Sequence, residues 1–182
     1  MALEDWLLKS GMRTDEQVAD LHSEVFSHEW DLPYDSALGM LCMTTFQEVA
    51  TQVHYANLRR VVQREGGCPA LEQALLFVAV DEAAHADFFR RLLTLYLEHD
   101  RPATLEQIRH VANTFRMPAV YMLADSRKRV NEVRDLDVFN ESIFYGSVVE
   151  PILRKLGVTR RELRQRRPRE TVMPLGFTNM KP

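Results

Sequence analysis

The sequence predicts an all-α protein, and three observations carry that prediction. Apolar residues recur at helical spacing over long segments, and no strand-like alternation of useful length is present. One long helix over residues 37–65 ends at the pair Gly66-Gly67, a strong helix-stop signal, and another follows over residues 70–99. Because the connection between these two long helices is short, they should be antiparallel neighbours. The sequence has no internal repeat of fixed period.

The segment before these helices is also predicted to be helical. Residues 1–32 have apolar positions at helical spacing, and Gly11 interrupts the pattern. A loop follows, in which Asp35 or Ser36 can cap the helix that begins at residue 37.

A third helix is predicted over residues 105–115, because Thr104 and Gln107 have the spacing of a capping box. Pro118 should end or kink it, and a helix should resume as far as about residue 133.

A last helix is predicted to begin at a cap formed by Asp135 or Asp137 and to run to residue 156, with Pro151 as a kink. We therefore divide the chain into one helical domain over residues 1–157 and a basic, irregular tail over residues 158–182.

Composition excludes several classes of protein. No apolar run approaches the roughly 20 residues needed to cross a bilayer, and no signal-peptide pattern opens the chain. Two cysteines without a Cys-x-x-Cys pattern indicate neither a disulfide framework nor a zinc ribbon, so a cytoplasmic location is expected. A formal net charge of −3 argues against a nucleic-acid-binding protein.

Two acidic residues and a histidine interrupt otherwise apolar stripes on the long helices. On the second helix the stripe is polar only at Glu82 and His85, three residues apart and therefore on one face. Its other members are Leu71, Leu75, Val78, Phe89, Leu92 and Tyr96. Glu48 interrupts the stripe of the first helix, which consists of Leu38, Leu41, Thr45, Glu48, Gln52 and Tyr55. Glu48 lies 19 residues before Gly67, whereas Glu82 lies 15 residues after it. At ~1.5 Å per residue, the two carboxylates should lie within roughly one turn in height.

One Glu on one helix and a Glu-x-x-His on its neighbour form half of the ligand set of di-iron carboxylate four-helix bundles. Such donors suit iron or manganese better than copper or structural zinc. The alternative is a chance Glu-x-x-His on a solvated face. The pairs Glu24–His28 and Glu106–His110 have zinc-ligand spacing but are more typical of solvated helix faces.

Residues 45–51 read Thr-Phe-Gln-Glu-Val-Ala-Thr, followed by Asn57, and residues 81–85 read Asp-Glu-Ala-Ala-His. These segments resemble the soluble acyl-[acyl-carrier-protein] desaturases, in which Asn57 has a counterpart at a matching offset. Residues 115–118, Phe-Arg-Met-Pro, also match a family feature, and weaker similarity continues to about Leu163. The resemblance implies a ferritin-like, or ribonucleotide-reductase-like, helical bundle, of which this chain would be the C-terminal portion.

The resemblance implies a role for each matching residue. Glu48, Glu82 and His85 would be iron ligands, and Thr51 would be the catalytic hydroxyl that donates a proton during oxygen activation. For Thr51 the alternative is a hydrogen bond back to its own helix. Asp81 would accept a hydrogen bond from a metal-bound His of another helix.

The reaction implied is the O2-dependent insertion of a cis double bond into a saturated acyl chain, in fatty acid biosynthesis. The substrate would arrive on acyl carrier protein, and electrons would come from a ferredoxin-type donor. Iron would be the cofactor, with two ions in the complete site, and we expect a homodimer. The alternatives are another ferritin-like di-iron oxygenase and a non-catalytic helical remnant that binds a protein partner.

The ligand count departs from the family. Glu-x-x-His occurs once in the sequence, and residues 1–14 resemble the stretch that follows the family's first Glu-x-x-His. Three explanations are compatible with this, in order of preference: a fragment, a short protein that has lost the chemistry, or two chains that pair to rebuild the site.

Basic residues crowd the C-terminal region. Arg164, Arg166 and Arg167 lie in its densest part. A solvated tail is the simpler interpretation, and docking of the acidic acyl carrier protein is the functional one. Stacking aromatics, which nucleic-acid binding would require, do not interleave with the arginines.

Overall fold

The protein is helical throughout the part that the computed structural model describes, residues 2–28, 34–117 and 125–164. Within these ranges there is no strand, so the predicted all-α class is confirmed. No helix among the described residues has the length and hydropathy needed to span a bilayer.

The N-terminal segment forms two helices, α1 (Ala2–Lys9) and α2 (Asp15–Phe26). They are separated at Gly11, as predicted. A capping box begins α2, in which the Thr14 side chain accepts from the Gln17 N–H and the Gln17 side chain accepts from the Thr14 N–H. Residues 29–32, the end of the predicted first segment, lie outside the described residues. Helix α1 packs against the second of the two long helices.

The two long helices form the predicted hairpin. Helix α3 (Ala37–Arg64) begins where the Ser36 side chain accepts a hydrogen bond from the Gly39 N–H. Gly66 and Gly67 follow it with φ values of 107° and 78°, a conformation that only glycine adopts without strain. Helix α4 (Pro69–His99) then returns along α3, and this pair forms the most extensive helix contact among the described residues.

The third helix begins earlier than predicted. Helix α5 (Arg101–Thr114) is capped by Asp100, whose side chain accepts from the Ala103 N–H. The predicted cap, Thr104, is instead fully buried inside the first turn and donates to the Asp100 carbonyl. Pro102 near the helix start favours the earlier boundary, because proline fits the first turn of a helix without losing a hydrogen bond. Pro118 lies outside the described residues.

The last long segment also differs from its predicted start. Helix α6 (Ser126–Asp135) precedes it, and helix α7 covers residues 141–155. Asn140 caps α7 by accepting from the Ile143 N–H, so neither Asp135 nor Asp137 is the cap. The middle of α7, Phe144–Val149, is π-helical and ends two residues before Pro151. Because proline lacks an N–H and its ring clashes with the carbonyl four residues earlier, a widened turn accommodates it.

The beginning of the predicted irregular tail is ordered. Helix α8 (Arg160–Arg164) packs against α5. Arg101 donates to the Glu162 carboxylate at 2.8 Å, and Val158 is buried. The predicted domain boundary at residue 157 therefore does not coincide with the end of the packed structure.

The core lies between α3, α5 and α7, with α4 closing one side. Its fully buried members come from all four helices. The largest fully buried side chains of the described residues are Phe46, Leu75, Leu93, Ile108 and Ile152. This core fixes α3 on one side, and the opposite side of the α3–α4 pair is left more open.

Candidate metal centre

Three side chains with metal-binding chemistry meet between the two long helices. Glu48 from α3 and Glu82 and His85 from α4 each offer one ligand atom, and these atoms lie within 4.8 Å of one another. The His85 Nδ1 is 3.3 Å from an oxygen of Glu48 and 3.3 Å from an oxygen of Glu82. The antiparallel hairpin thus brings together residues 34 and 37 positions apart in sequence.

The three side chains differ sharply in exposure. The Glu48 and Glu82 side chains are 13% and 18% exposed, whereas the His85 side chain is 59% exposed. The next residue along the chain, Ala86, is buried, and successive helical residues point about 100° apart. His85 therefore lies at the edge of the packed face of α4 and not at its centre.

This placement corrects the predicted core stripe of α4. Of its apolar members, Leu75 is buried, whereas Val78 and Leu92 are half-buried and Tyr96 is 40% exposed. The centre of the packed face is instead formed by Leu75 together with Ala86, Leu93 and Leu97. The stripe that carries the metal-type ligands has one open side.

The side chains of the cluster shift one another's pKa. Burial, together with the neighbouring Glu82 carboxyl, raises the pKa of Glu48 to about 7. The hydrogen bond to Glu82 and the nearby Glu48 charge raise the pKa of His85. Burial is the main cause of the Glu48 shift, whereas the hydrogen bond to Glu82 is the main cause of the His85 shift. A bound cation would favour the ionised form of both carboxylates.

Thr51 and Asp81 lie close to the cluster in sequence but have different surroundings. The Thr51 hydroxyl donates to the backbone carbonyls of Gln47 and Glu48, each at 3.0 Å, the in-helix bond expected of a structural threonine. Asp81 is exposed on α4. Within the described residues no histidine of another helix is shown hydrogen-bonded to it, so its predicted role stays a prediction.

A cavity of about 590 Å³ opens beside Thr51. Most of its surface is apolar, and the apolar lining residues come from α3, α6, α7 and the segments that follow α5 and precede α7, among them Tyr55, Phe115, Phe139 and Phe144. Burial raises the pKa of the Tyr55 hydroxyl, and the Glu82 charge raises it further. The clustered residues Glu48, Glu82 and His85 do not line the cavity, and Thr51, one turn after Glu48, is the lining residue nearest to them in sequence. The volume is within the range of small-molecule sites.

The cavity was not predicted from the sequence. The one indication of it is that Tyr55 lies seven residues after Glu48, on the same face of α3. His54, whose pKa burial lowers, contacts the Tyr55 ring edge-on and the Phe139 ring. Asn57 donates to the Val138 carbonyl at 3.0 Å, and so ties α3 to the segment before α7.

The other candidates from the sequence are not part of the cluster. His28 directs its Nδ1 to the backbone carbonyl of Glu24, and His110 packs edge-on against Tyr34. Arg164 ends α8, while Arg166 and Arg167 lie outside the described residues. In the described part of the chain, neither Glu24–His28 nor Glu106–His110 therefore has a third potential metal ligand close to it.

The donor set suits one hard or borderline cation. Two carboxylates and one imidazole within 4.8 Å match the ligands that iron and manganese accept. They are too few to hold two ions, because the di-iron bundles use four carboxylates and two histidines. Among the described residues, Glu48, Glu82 and His85 are the one group of three potential metal ligands.

Comparison with known proteins identifies the family. A search of the curated proteins and a search of the solved structures returned no match. A family model described as fatty acid desaturase matches residues 1–176, almost the whole chain. A match of this extent includes both long helices and all three clustered ligands. The chain therefore belongs to the fatty acid desaturase family, a family of oxidoreductases.

Proposed function

We propose that the chain acts as an acyl-[acyl-carrier-protein] desaturase of ferritin-like fold, with a non-haem di-iron centre to which Glu48, Glu82 and His85 contribute ligands. The single observation that carries this proposal is the cluster of two Glu and one His on paired helices of a fatty acid desaturase. Iron would supply the oxidising power that removal of hydrogen from an unactivated C–H bond requires.

The residues of the chain would hold and shield the reacting groups. Glu48 and Glu82, both mostly buried, would supply negative charge in a region of low dielectric constant, where it attracts a cation strongly. His85 would bind through an imidazole nitrogen in its neutral form, so binding should release a proton.

The cavity is the proposed place for the acyl chain. Its lining is mostly apolar, and it passes Thr51 and Tyr55, the residues one and two turns after Glu48 on α3. A saturated chain held there would have methylene groups near the carboxylate cluster and away from water. Three arginines, Arg116, Arg129 and Arg134, and two glutamates, Glu132 and Glu141, also line this cavity, and Arg134 donates to Glu141 at 2.8 Å. The small excess of positive charge would favour an acidic carrier protein.

The test of the proposed function is product formation by the purified, iron-loaded protein. Saturated acyl chains of several lengths would be supplied on acyl carrier protein, with a ferredoxin, its reductase and O2, and the products analysed by gas chromatography and mass spectrometry. We expect a cis-unsaturated product, and its loss in Glu82→Ala. Glu98→Ala, an exposed position on the same helix, is the matched control and should retain activity.

Two outcomes would overturn parts of the proposal. Desaturation of acyl-coenzyme A but not of acyl carrier protein would refute the carrier. Desaturation that survives in Glu82→Ala would refute the metal assignment.

Thr51→Val separates a catalytic hydroxyl from a structural one. Its hydrogen bonds stay within α3, so we expect an unchanged fold but slower product formation. Thr94→Val is the matched control, because the Thr94 hydroxyl donates to the Arg90 carbonyl at 3.0 Å on α4 and does not line the cavity. Equal rates in wild type and Thr51→Val would leave Thr51 with the structural role alone.

A further inference from the structure

Helix α6 is the most weakly packed part of the wall around the cavity. None of its 10 residues is buried, and within the described residues it makes no extensive contact with another helix. It lines the cavity with residues 129–130 and 132–134, of which Val130 and Val133 are apolar. A helix of this length is too short to be stable in water on its own, so α6 depends on what these two valines contact.

The N-terminal end of α6 lacks the features that stabilise the start of a helix. Its cap residue, Asp125, has a φ of 58°, in the left-handed region, and makes no side-chain hydrogen bond to the first turn. The first turn contains no acidic residue, and Arg127 and Lys128 place positive charge at the positive end of the helix dipole. This end should therefore open more readily than the start of α5, which the Asp100 side chain caps.

The C-terminal end of α6, in contrast, is anchored to the core. Asp137 follows it in the left-handed conformation, with a φ of 54°, and the Asp137 N–H donates to the Arg134 carbonyl at 2.9 Å. The Val138 N–H donates to the Val133 carbonyl at 3.0 Å, which completes a Schellman motif. The Val138 side chain is buried, and its backbone carbonyl accepts from Asn57 on α3. Helix α6 thus has one fixed end and one weak end.

Two ion pairs of α6 add little to its attachment. Arg134 donates to Glu141 at the start of α7, but the two side chains are 48% and 74% exposed. Lys128 pairs with Glu132 inside α6 itself, and this pair does not tie the helix to the core. Exposed pairs of this kind contribute little in water, so the apolar contact through the two valines matters more.

We propose that α6 is a lid over the cavity, that it opens from its N-terminal end about a hinge at Asp137, and that a hydrocarbon chain in the cavity closes it. Val130 and Val133 are three residues apart and share one face of α6. Phe139 and Phe144 line the same cavity, so an apolar chain in it would contact the lid and the core together. These contacts exist only when α6 is closed, and they shift the equilibrium toward the closed state.

The inference rests on the part of the proposed function that places the acyl chain in this cavity. It does not depend on the metal cluster or on the carrier of the acyl chain. A lid of this kind would admit the chain while open and exclude water from it once closed.

The test is hydrogen exchange of the full chain, followed by mass spectrometry, with palmitate as the probe. In the protein alone, residues 126–131 should exchange faster than α5. Calorimetry gives the dissociation constant of palmitate, and at about ten times that concentration exchange in residues 126–131 should slow about tenfold, if palmitate binds the closed state alone. Helix α2 is the internal control and should be unchanged, because it does not line the cavity and can open while palmitate stays bound.

The double variant Val130→Ser/Val133→Ser removes the apolar contact without changing the core. Because neither valine is buried, the fold should survive, as circular dichroism can verify, and palmitate should no longer slow exchange in α6. Val80→Ser is the matched control, since Val80 is 57% exposed on α4 and does not line the cavity, and it should behave as wild type does.

Arg127→Glu tests the weak end of the lid separately. An acidic residue in the first turn interacts favourably with the helix dipole, so exchange in residues 126–131 of the palmitate-free protein should slow about two- to fivefold. Arg127→Gln should give an intermediate rate. Equal exchange in wild type and Arg127→Glu would contradict opening from this end.

The outcomes separate the lid from the proposed function. Palmitate that binds without changing exchange in α6 would overturn the inference and leave the cavity as the place for the acyl chain. Protection of α6 by palmitate in a protein that forms no unsaturated product would support the lid and refute the proposed reaction. No binding of palmitate up to its solubility limit would overturn both the lid and the placement of the acyl chain.

Discussion

The buried carboxyl of Glu48 offers a quantitative test of the electrostatics of the site. Its pKa is raised to about 7 in the folded protein, mainly by burial, whereas an unfolded chain has a value near 4.5. Below pH 4.5 both states are protonated and the group contributes nothing. As pH rises from 4.5 to 7 the unfolded state loses its proton first, so the metal-free folded state loses stability.

The size of this effect follows from the shift. At about 1.4 kcal/mol for each unit of pKa, the ionised Glu48 carboxylate should cost the metal-free protein up to about 3 kcal/mol above pH 7. Glu48→Gln removes this charge, so it should raise the free energy of unfolding at pH 8 and flatten its pH dependence between pH 5 and 7. The raised pKa of His85 also lowers the free energy of unfolding as pH rises. The protonated imidazole stabilises the folded state at low pH, and this contribution is lost when His85 loses its proton.

The assay is urea denaturation of the metal-free protein at a series of pH values, followed by circular dichroism. Glu98→Gln, at an exposed position on α4, is the control and should leave the pH profile unchanged. With Fe(II) present the order should reverse, since wild type gains binding energy that Glu48→Gln lacks. A metal-free Glu48→Gln variant that is less stable than wild type at pH 8 would refute the reasoning.

Two further predictions concern the core and the basic region. Phe46→Ala should lower the free energy of unfolding by about 3–5 kcal/mol, because Phe46 is fully buried. Phe26→Ala, at an exposed position, should change the free energy of unfolding little. Urea denaturation measures both variants. Replacing Arg164, Arg166 and Arg167 together by Ala should weaken binding of acyl carrier protein at low salt, as measured by calorimetry, and an unchanged affinity would exclude docking there.

The elements that could be predicted are those whose signals are local. Gly66 and Gly67 specify the turn of the hairpin because only glycine adopts both conformations freely. The predicted starts of α5 and α7 were wrong because more than one polar residue near each start can act as the cap. Asp100 and Asn140 form the caps, and local spacing alone could not choose between them and their neighbours.

The same distinction applies to the site. Helical spacing and the short turn were sufficient to place Glu48 near Glu82 and His85, because an antiparallel hairpin fixes their relative height. Spacing could not predict which side of α4 is packed, since that depends on where α5 and α7 lie. Nor could it predict the cavity, whose wall includes Phe139 and Phe144, more than 80 residues after Thr51.

The position of the cluster at an edge of the core has a consequence for how metal binding is coupled to folding. Phe46 and Ala50, two residues before and two residues after Glu48, are fully buried and hold this part of α3 in the core. The Glu48 carboxylate is therefore already in place before a cation arrives. His85 is largely exposed and can adjust its ring. A cation would therefore meet carboxylates that the fold has already placed, and the exposed imidazole of His85 would adjust to complete its coordination.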